Sequence, residues 1–234
     1  MPSSGPSLTE HVLETRRCLG RTTIVGISGI DCAGKTSLAA RLAKELRAAG
    51  DDVAVIGGDH FNRPRSERSV YPAEDADYGF AYGPLVEELL VPARAGGRVA
   101  ARLRVKDWER DAWDAQEFTV EPGAIVLVEG VFLFTPQVLP LLDLKIWLEI
   151  GFDDALERAL VRDAAAMGGR DSVRERYATR YFPGQRRHLE RDRPRDQADV
   201  ILAASSVNDA DLMRVGTPEA PPPALPPTVV EQDL

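Results

Sequence analysis

The chain has 234 residues and a formal net charge of −8, a length that suits one large α/β domain with enough chain to bury a core. The acidic balance disfavours non-specific nucleic-acid binding, and no apolar stretch reaches membrane-spanning length. Two cysteines, Cys18 and Cys32, give no disulfide framework, and no signal-peptide architecture opens the sequence, so a reducing, cytoplasmic setting is the expectation.

Residues 1–6 are rich in Pro, Ser and Gly and read as a frayed end. Ser7 and Glu10 stand at capping-box spacing, which predicts a helix to about Leu19. The β-branched run Thr22 to Ile27 predicts a strand. Leu38, Leu42 and Leu46 recur at helical spacing, which predicts a helix from Lys35 to Ala49 stopped by Gly50. A second strand is expected over Asp52 to Gly57, ending in Gly57-Gly58-Asp59-His60-Phe61. Residues 62–82 are polar and carry prolines, as a substrate-side loop would, and Pro84 opens a helix through Leu90. Arg98 to Val105 has strand character and pairs with Glu117 to Val120 in a small ribbon. The apolar run Ala124 to Val128 suits a buried parallel strand, and Leu144 to Ile150 gives another. Asp153 to Ala166 is an amphipathic helix. Ser172 to about Arg193 is an arginine-rich helix interrupted at Pro183-Gly184, and Asp199 to Ala203 is a last short strand. From Ser205 onward periodicity fails, and residues 217–227 are Pro-rich, a disordered or extended tail.

Between the first strand and the helix after it lies Gly29-x-x-x-x-Gly34-Lys35-Thr36, the P-loop pattern in the strand–loop–helix context it requires. Glycines let the backbone turn so that successive N–H groups surround a phosphate, and the helix start aims its dipole at the same anion. Gly29, Ile30, Asp31, Cys32, Ala33, Gly34, Lys35, Thr36 and Ser37 are therefore the expected nucleotide contacts, with Lys35 on the β and γ phosphates and Thr36 on Mg²⁺.

Strands alternating with helices place ligands at the carboxyl ends of a parallel sheet. Asp59 ends a strand there. It either takes the proton of an attacking hydroxyl or merely caps a turn. Glu129 follows Ile125-Val126-Leu127-Val128, as a Walker-B-type acid for Mg²⁺ or as a helix-start acid. Arginines crowd the stretch from Arg158 to Arg195, either as a lid closing over a phosphoryl group or as a solvated face. Arg162 and Arg170 flank Gly168-Gly169 and suit the lid best. Tyr78, Phe80 and Tyr82 would stack on a ring or pack in the core. Asp107, Trp108, Asp111 and Trp113 mark a candidate substrate rim on the ribbon.

With these residues assembled, the chain resembles the uridine kinase-like branch of P-loop kinases, the group that also includes phosphoribulokinase, pantothenate kinase and nicotinamide riboside kinase. The resemblance spans about residues 20–203. It rests on Gly26 to Thr36, Asp59-His60-Phe61, Val128-Glu129-Gly130-Val131-Phe132, Arg162-Asp163 before a glycine pair, and Ala198-Asp199-Val200-Ile201. It implies a three-layer fold with a mainly parallel sheet, a small substrate-side β-ribbon and an arginine-rich helical lid, in a domain over 20–204 flanked by a 1–19 end and a 205–234 tail. It also implies Mg·ATP-dependent transfer to the 5′-hydroxyl of a uridine- or cytidine-like nucleoside or related metabolite. Asp59, Lys35, Arg162 and Arg170 are then the catalytic set, Thr36 and Glu129 hold the metal, and Asp199 lies beside the adenine. Asp59, Phe61, Tyr82, Lys106, Asp107 and Asp111 face the acceptor. Lys106 and Asp111 stand where uridine–cytidine kinases carry a tyrosine and a histidine, and Met167 stands where they carry a lid arginine, so the acceptor pocket departs from that pattern. No nucleic-acid or membrane partner is expected, and a homo-oligomer is left open. The alternative is a P-loop scaffold or NTPase switch without a small-molecule acceptor.

Overall fold

The computed structural model describes residues 6–68 and 79–205. The expectations for 1–5, for loop residues 69–78 (Tyr78 among them) and for the tail from 206 lie outside them. Helix α1 (Leu8–Leu19) starts on the predicted box: Ser7 Oγ accepts the Glu10 amide at 3.2 Å, and the Glu10 carboxylate accepts the Ser7 amide at 2.6 Å. A cap of this kind stabilises a helix start by about 1 kcal/mol.

Strands β1 (Thr23–Gly29), β2 (Val53–Gly57), β5 (Ile125–Gly130), β6 (Leu144–Glu149) and β7 (Val200–Ala203) form a parallel sheet in the order β2-β5-β1-β6-β7. Every residue of β1 and β5 is buried, as strands covered on both faces must be. One face packs on α1 and α2 (Lys35–Ala48) through Leu8, Val12, Leu38, Leu42 and Leu46. The other packs on α3, a continuous stretch built of Tyr82–Pro84, Leu85–Leu90 and Val91–Arg94, and on the ribbon β3 (Val99–Asp107) and β4 (Ala112–Val120). A third cluster, with Ile30, Ala155, Leu160, Val173 and Tyr177, ties the phosphate loop to the lid. This is the expected three-layer arrangement. Among the described residues no helix is long and apolar enough to cross a membrane.

The ribbon is longer than its pattern suggested, because β3 runs on through Lys106 and Asp107 and β4 begins at Ala112. Their exposed faces carry charged residues that hide the alternation. The lid comprises α4 (Phe152–Arg162), a short turn Ala164–Met167, and α5, built of Arg170–Arg176, Tyr177–Tyr181 and Phe182–Asp192. The expected interruption at Pro183-Gly184 is instead a local widening, since Tyr177–Tyr181 is wound as π-helix and α5 runs on to Asp192. A proline has no N–H and its ring crowds the carbonyl four residues back, and i→i+5 winding absorbs both defects. The same device precedes Pro92, where Leu85–Leu90 is π-wound and carries α3 past its expected end at Leu90.

Candidate active site

The carboxyl ends of parallel strands share one edge, and register decides which side chains meet there. Glu129 sits opposite Ile27 of β1 on one side and Gly57 of β2 on the other. Directly after β2, the 3₁₀ turn Gly58–Phe61 brings Asp59 to the same edge. The turn requires a glycine at its start. A Cβ on Gly58 would lie 2.8 Å from the Tyr82 hydroxyl and 2.9 Å from the Glu129 carbonyl.

Between β1 and α2 the backbone turns through left-handed conformations, with φ of 60° at Cys32 and 99° at Gly34. Such a conformation costs a residue with a β-carbon about 1–2 kcal/mol. The fully buried Leu38, Leu42 and Leu46 offset it, contributing roughly 1.5–3 kcal/mol each. The loop therefore rests on a rigid base. Lys35 Nζ donates to Ile30 O at 2.9 Å, and Thr36 Oγ1 donates to Glu129 Oε1 at 3.0 Å. Burial pushes the Glu129 carboxyl up, with the Asp59 charge adding to it and Lys35 and the Thr36 bond opposing. Burial likewise raises Asp31, against the pull of Lys35.

Lid residues clamp this loop. Gln185 Nε2 donates to Asp31 Oδ2 at 2.8 Å while Gln185 Oε1 accepts the Asp31 amide at 3.1 Å. Arg158 Nη1 donates to Cys32 O at 3.1 Å, and the Tyr177 hydroxyl lies 3.7 Å from Cys32 Sγ. Arg162 forks onto Asp163, with bonds of 2.6 and 2.9 Å, and reaches the Tyr177 hydroxyl at 3.2 Å. Burial works against Asp163, yet Arg162 and the Tyr177 hydroxyl outweigh it and hold the carboxyl below its usual range. Its charge fixes the planar guanidinium, which is the geometry that grips phosphate oxygens.

The cleft has a volume of about 590 Å³, within the range of small-molecule sites. It brings together Asp31, Cys32, Gly34, Lys35, Thr36 and Ser37 of the loop, Asp59 and Glu129 of the strand ends, and Arg158 and Arg162 of α4. Ile30 and Ala33 stand in the loop with buried side chains and offer backbone only. The oxygen donors Thr36, Glu129 and Asp59, which line one cleft, suit a hard divalent cation. Among the described residues no group of three or more His, Cys, Asp or Glu could hold a metal alone.

Several expected site residues lie elsewhere. Asp199 stands at the amino end of β7, across the sheet from the cleft, where its carboxylate accepts the Lys145 amide at 2.8 Å and pairs with Lys145 Nζ at 2.7 Å. The chain reaches the cleft only after β7, at Ala204 and Ser205, so the nucleotide expectation at Asp199 is misplaced by the length of that strand. Arg170 is half-exposed, pairs with Glu157 at 3.5 Å and does not line the cleft. Phe61 is fully buried, its ring 6.3 Å from those of Tyr82 and Phe118, so it is a core residue. Lys106 pairs with Asp111 at 2.5 Å beneath Trp108, and Asp107 accepts the amides of Glu109 and Arg110 at 2.9 Å. These three close the ribbon's turn and do not line the cleft. Tyr82 is buried beside Gly58 and Gly130. Arg158 and Gln185 are contacts that sequence reasoning did not single out. Arg158 carried a signal, one helical turn before Arg162. Gln185 carried none, lying 154 residues from its partner Asp31.

The model of the phosphoribulokinase / uridine kinase family matches residues 24–211. The uridine kinase of Macrococcus caseolyticus is 28% identical over 199 residues, covering 83% of this chain and 94% of that protein. The uridine kinase of Chlamydia pneumoniae is 30% identical over 185 residues, covering 76% and 80%. Among solved structures, a putative fructose transport system kinase from Silicibacter sp. superposes with a TM-score of 0.66 at 24% identity, over 78% of this chain and 92% of that one. A possible uridine kinase from Bacillus stearothermophilus gives 0.61 at 22% identity, over 77% and 88%.

Proposed function

The chain belongs to the phosphoribulokinase / uridine kinase family, and from that premise we infer that its cleft transfers the γ-phosphoryl group of Mg·ATP to a hydroxyl of a nucleoside or related small metabolite. The observation that carries this reading is the convergence of Lys35, Asp59 and Glu129 at one sheet edge under the lid arginines. Loop amides and Lys35 hold the β and γ phosphates. Asp59 faces the acceptor and takes the proton of its hydroxyl as that oxygen attacks the γ phosphorus. The bond to the bridging oxygen breaks and ADP leaves. Arg158 and Arg162 neutralise the charge spread over the transferring group and close the site to water. Thr36 and Glu129 would hold Mg²⁺, which when bound neutralises phosphate charge.

The relatives named uridine kinase make uridine and cytidine the first acceptors to try. ADP release with Mg·ATP is measured against uridine, cytidine, other nucleosides, pantothenate and simple sugars. Acceptor-stimulated release supports the reading, and release indifferent to every acceptor would count against it.

A further inference from the structure

Gln185 of α5 is a polar side chain only 3% exposed. A carboxamide has a donor side and an acceptor side, and here both are spent on one residue. Nε2 donates to Asp31 Oδ2 at 2.8 Å, and Oε1 accepts the Asp31 amide at 3.1 Å. A carboxylate only accepts and a backbone N–H only donates, so the orientation of the Gln185 amide is fixed. The lid has other holds on the loop. Arg158 donates to Cys32 O, the Tyr177 hydroxyl lies beside Cys32 Sγ, and Ile30 packs in the apolar cluster of the lid. An apolar side chain at position 185 would pack there without the desolvation that a buried amide costs. What needs the glutamine is Asp31.

An acid in a phosphate loop is a liability. Asp31 is half-buried and lines the cleft with Lys35 and Thr36, where its charge opposes that of a nucleotide's phosphates. Lys35 and Arg162 attract its carboxylate, and Asp59 repels it. Arg162 is committed to Asp163 through bonds of 2.6 and 2.9 Å. Lys35 Nζ instead donates to the carbonyl of Ile30, the residue just before Asp31, at 2.9 Å. A half-buried carboxylate that loses its neutral donor turns to the nearest cation. In this loop that cation is the one the phosphates require.

Building on the reading of the cleft as a nucleotide-phosphate site, we propose that Gln185 is a positioning residue that keeps the Asp31 carboxylate off Lys35. The Lys35 ammonium is thereby left to the β and γ phosphates. Gln185 acts through Asp31 and touches no substrate, and it holds the acid without adding a charge of its own to the cleft.

The test is the Kd of a non-hydrolysable Mg·ATP analogue, measured by titration calorimetry on the full chain, which requires no acceptor. Gln185→Met, an apolar side chain of similar length, should weaken binding by about 10-fold or more, the loss typical of a hydrogen bond to a charged group. Adding Asp31→Asn should recover most of that loss, because the side chain left without its partner then carries no charge. A glutamine that merely packed the lid would not be rescued by changing Asp31. Gln185→Glu supplies a second pair should Gln185→Met lose its fold by circular dichroism. It sets two carboxylates against each other and should weaken binding at least as much. Asp31→Asn beside it should again recover most of the loss, since the new amide donates back to Glu at 185. Unchanged affinity in the folded single variant, or the same loss after Asp31→Asn is added, would overturn the positioning role and leave the kinase reading intact. Failure of the wild-type chain to bind the analogue would overturn the nucleotide reading, and this inference with it.

Discussion

The two sides of the cleft are built on different physical principles. On the nucleotide side, eight consecutive residues (29–36) are set by the strand before them and the helix after them, and under the proposed function backbone amides do most of the binding. On the acceptor side, the end of β2, the start of α3, the ribbon and the lid meet through buried side chains such as Tyr82, Phe80 and Phe118. A site made of backbone tolerates changes around it, whereas one made of side chains changes with each residue. A nucleotide loop made of backbone can therefore stay the same while side chains across the cleft differ from one family member to the next.

Lys35→Ala probes the nucleotide side most severely. Transfer should fall by about 10²–10³-fold, the loss expected when a positioned charge is removed from the transition state. Circular dichroism should stay near wild type, because Lys35 Nζ bonds the carbonyl of Ile30 in the loop itself and its charge acts on Asp31 and Glu129 of the cleft. Undiminished ADP release would break the contrast at its base.

Asp59→Asn sits at the junction of the two sides. Loss of the base should reduce transfer by about 10²–10⁴-fold while binding of an ATP analogue survives. Binding measured by titration calorimetry beside turnover separates the two. Near-wild-type transfer would leave Asp59 as a turn residue only.

Gly58→Ala sharpens the contrast from the acceptor side. The added methyl meets the Tyr82 hydroxyl at 2.8 Å and backbone at 2.9 Å, so overpacking should cost about 1–3 kcal/mol in denaturant unfolding. Adding Tyr82→Phe should recover only part, because the backbone contact remains. Full recovery would mean that Tyr82 alone crowds the turn.

Glu129→Gln has the smallest expected effect. In the folded chain Glu129 keeps its proton to higher pH than in the unfolded chain. Its ionisation therefore costs stability as pH rises through that raised value, and the loss persists at neutral pH. Glutamine removes the loss and can still accept from Thr36. The ligand-free melting temperature at neutral pH should rise modestly, and the Mg²⁺-dependent gain from an ATP analogue should shrink. A fall in the ligand-free value would contradict the burial argument.

What was legible in the sequence follows the same division. The phosphate loop, Asp59 and Glu129 could be read because each ends an apolar strand, and a parallel sheet sends those ends to one edge. Asp199 was misplaced because it precedes its strand. One short strand separates it from Ser205, which does reach the cleft. Lys106, Asp107 and Asp111 were expected at the acceptor because they stand at the ribbon positions of the family's pattern, but a tight turn with φ of 48° at Asp111 needs the same residues for its own hydrogen bonds. The Gln185–Asp31 clamp had no sequence signal, since only the packing of α5 over the loop creates it.

The most direct measurement follows the label from [γ-³²P]ATP incubated with Mg²⁺, the protein and the acceptor panel. The account predicts label esterified to an acceptor hydroxyl, lost together in Lys35→Ala and Asp59→Asn. Label appearing solely as inorganic phosphate, at a rate no acceptor changes, would contradict it and make the cleft that of a hydrolase or switch.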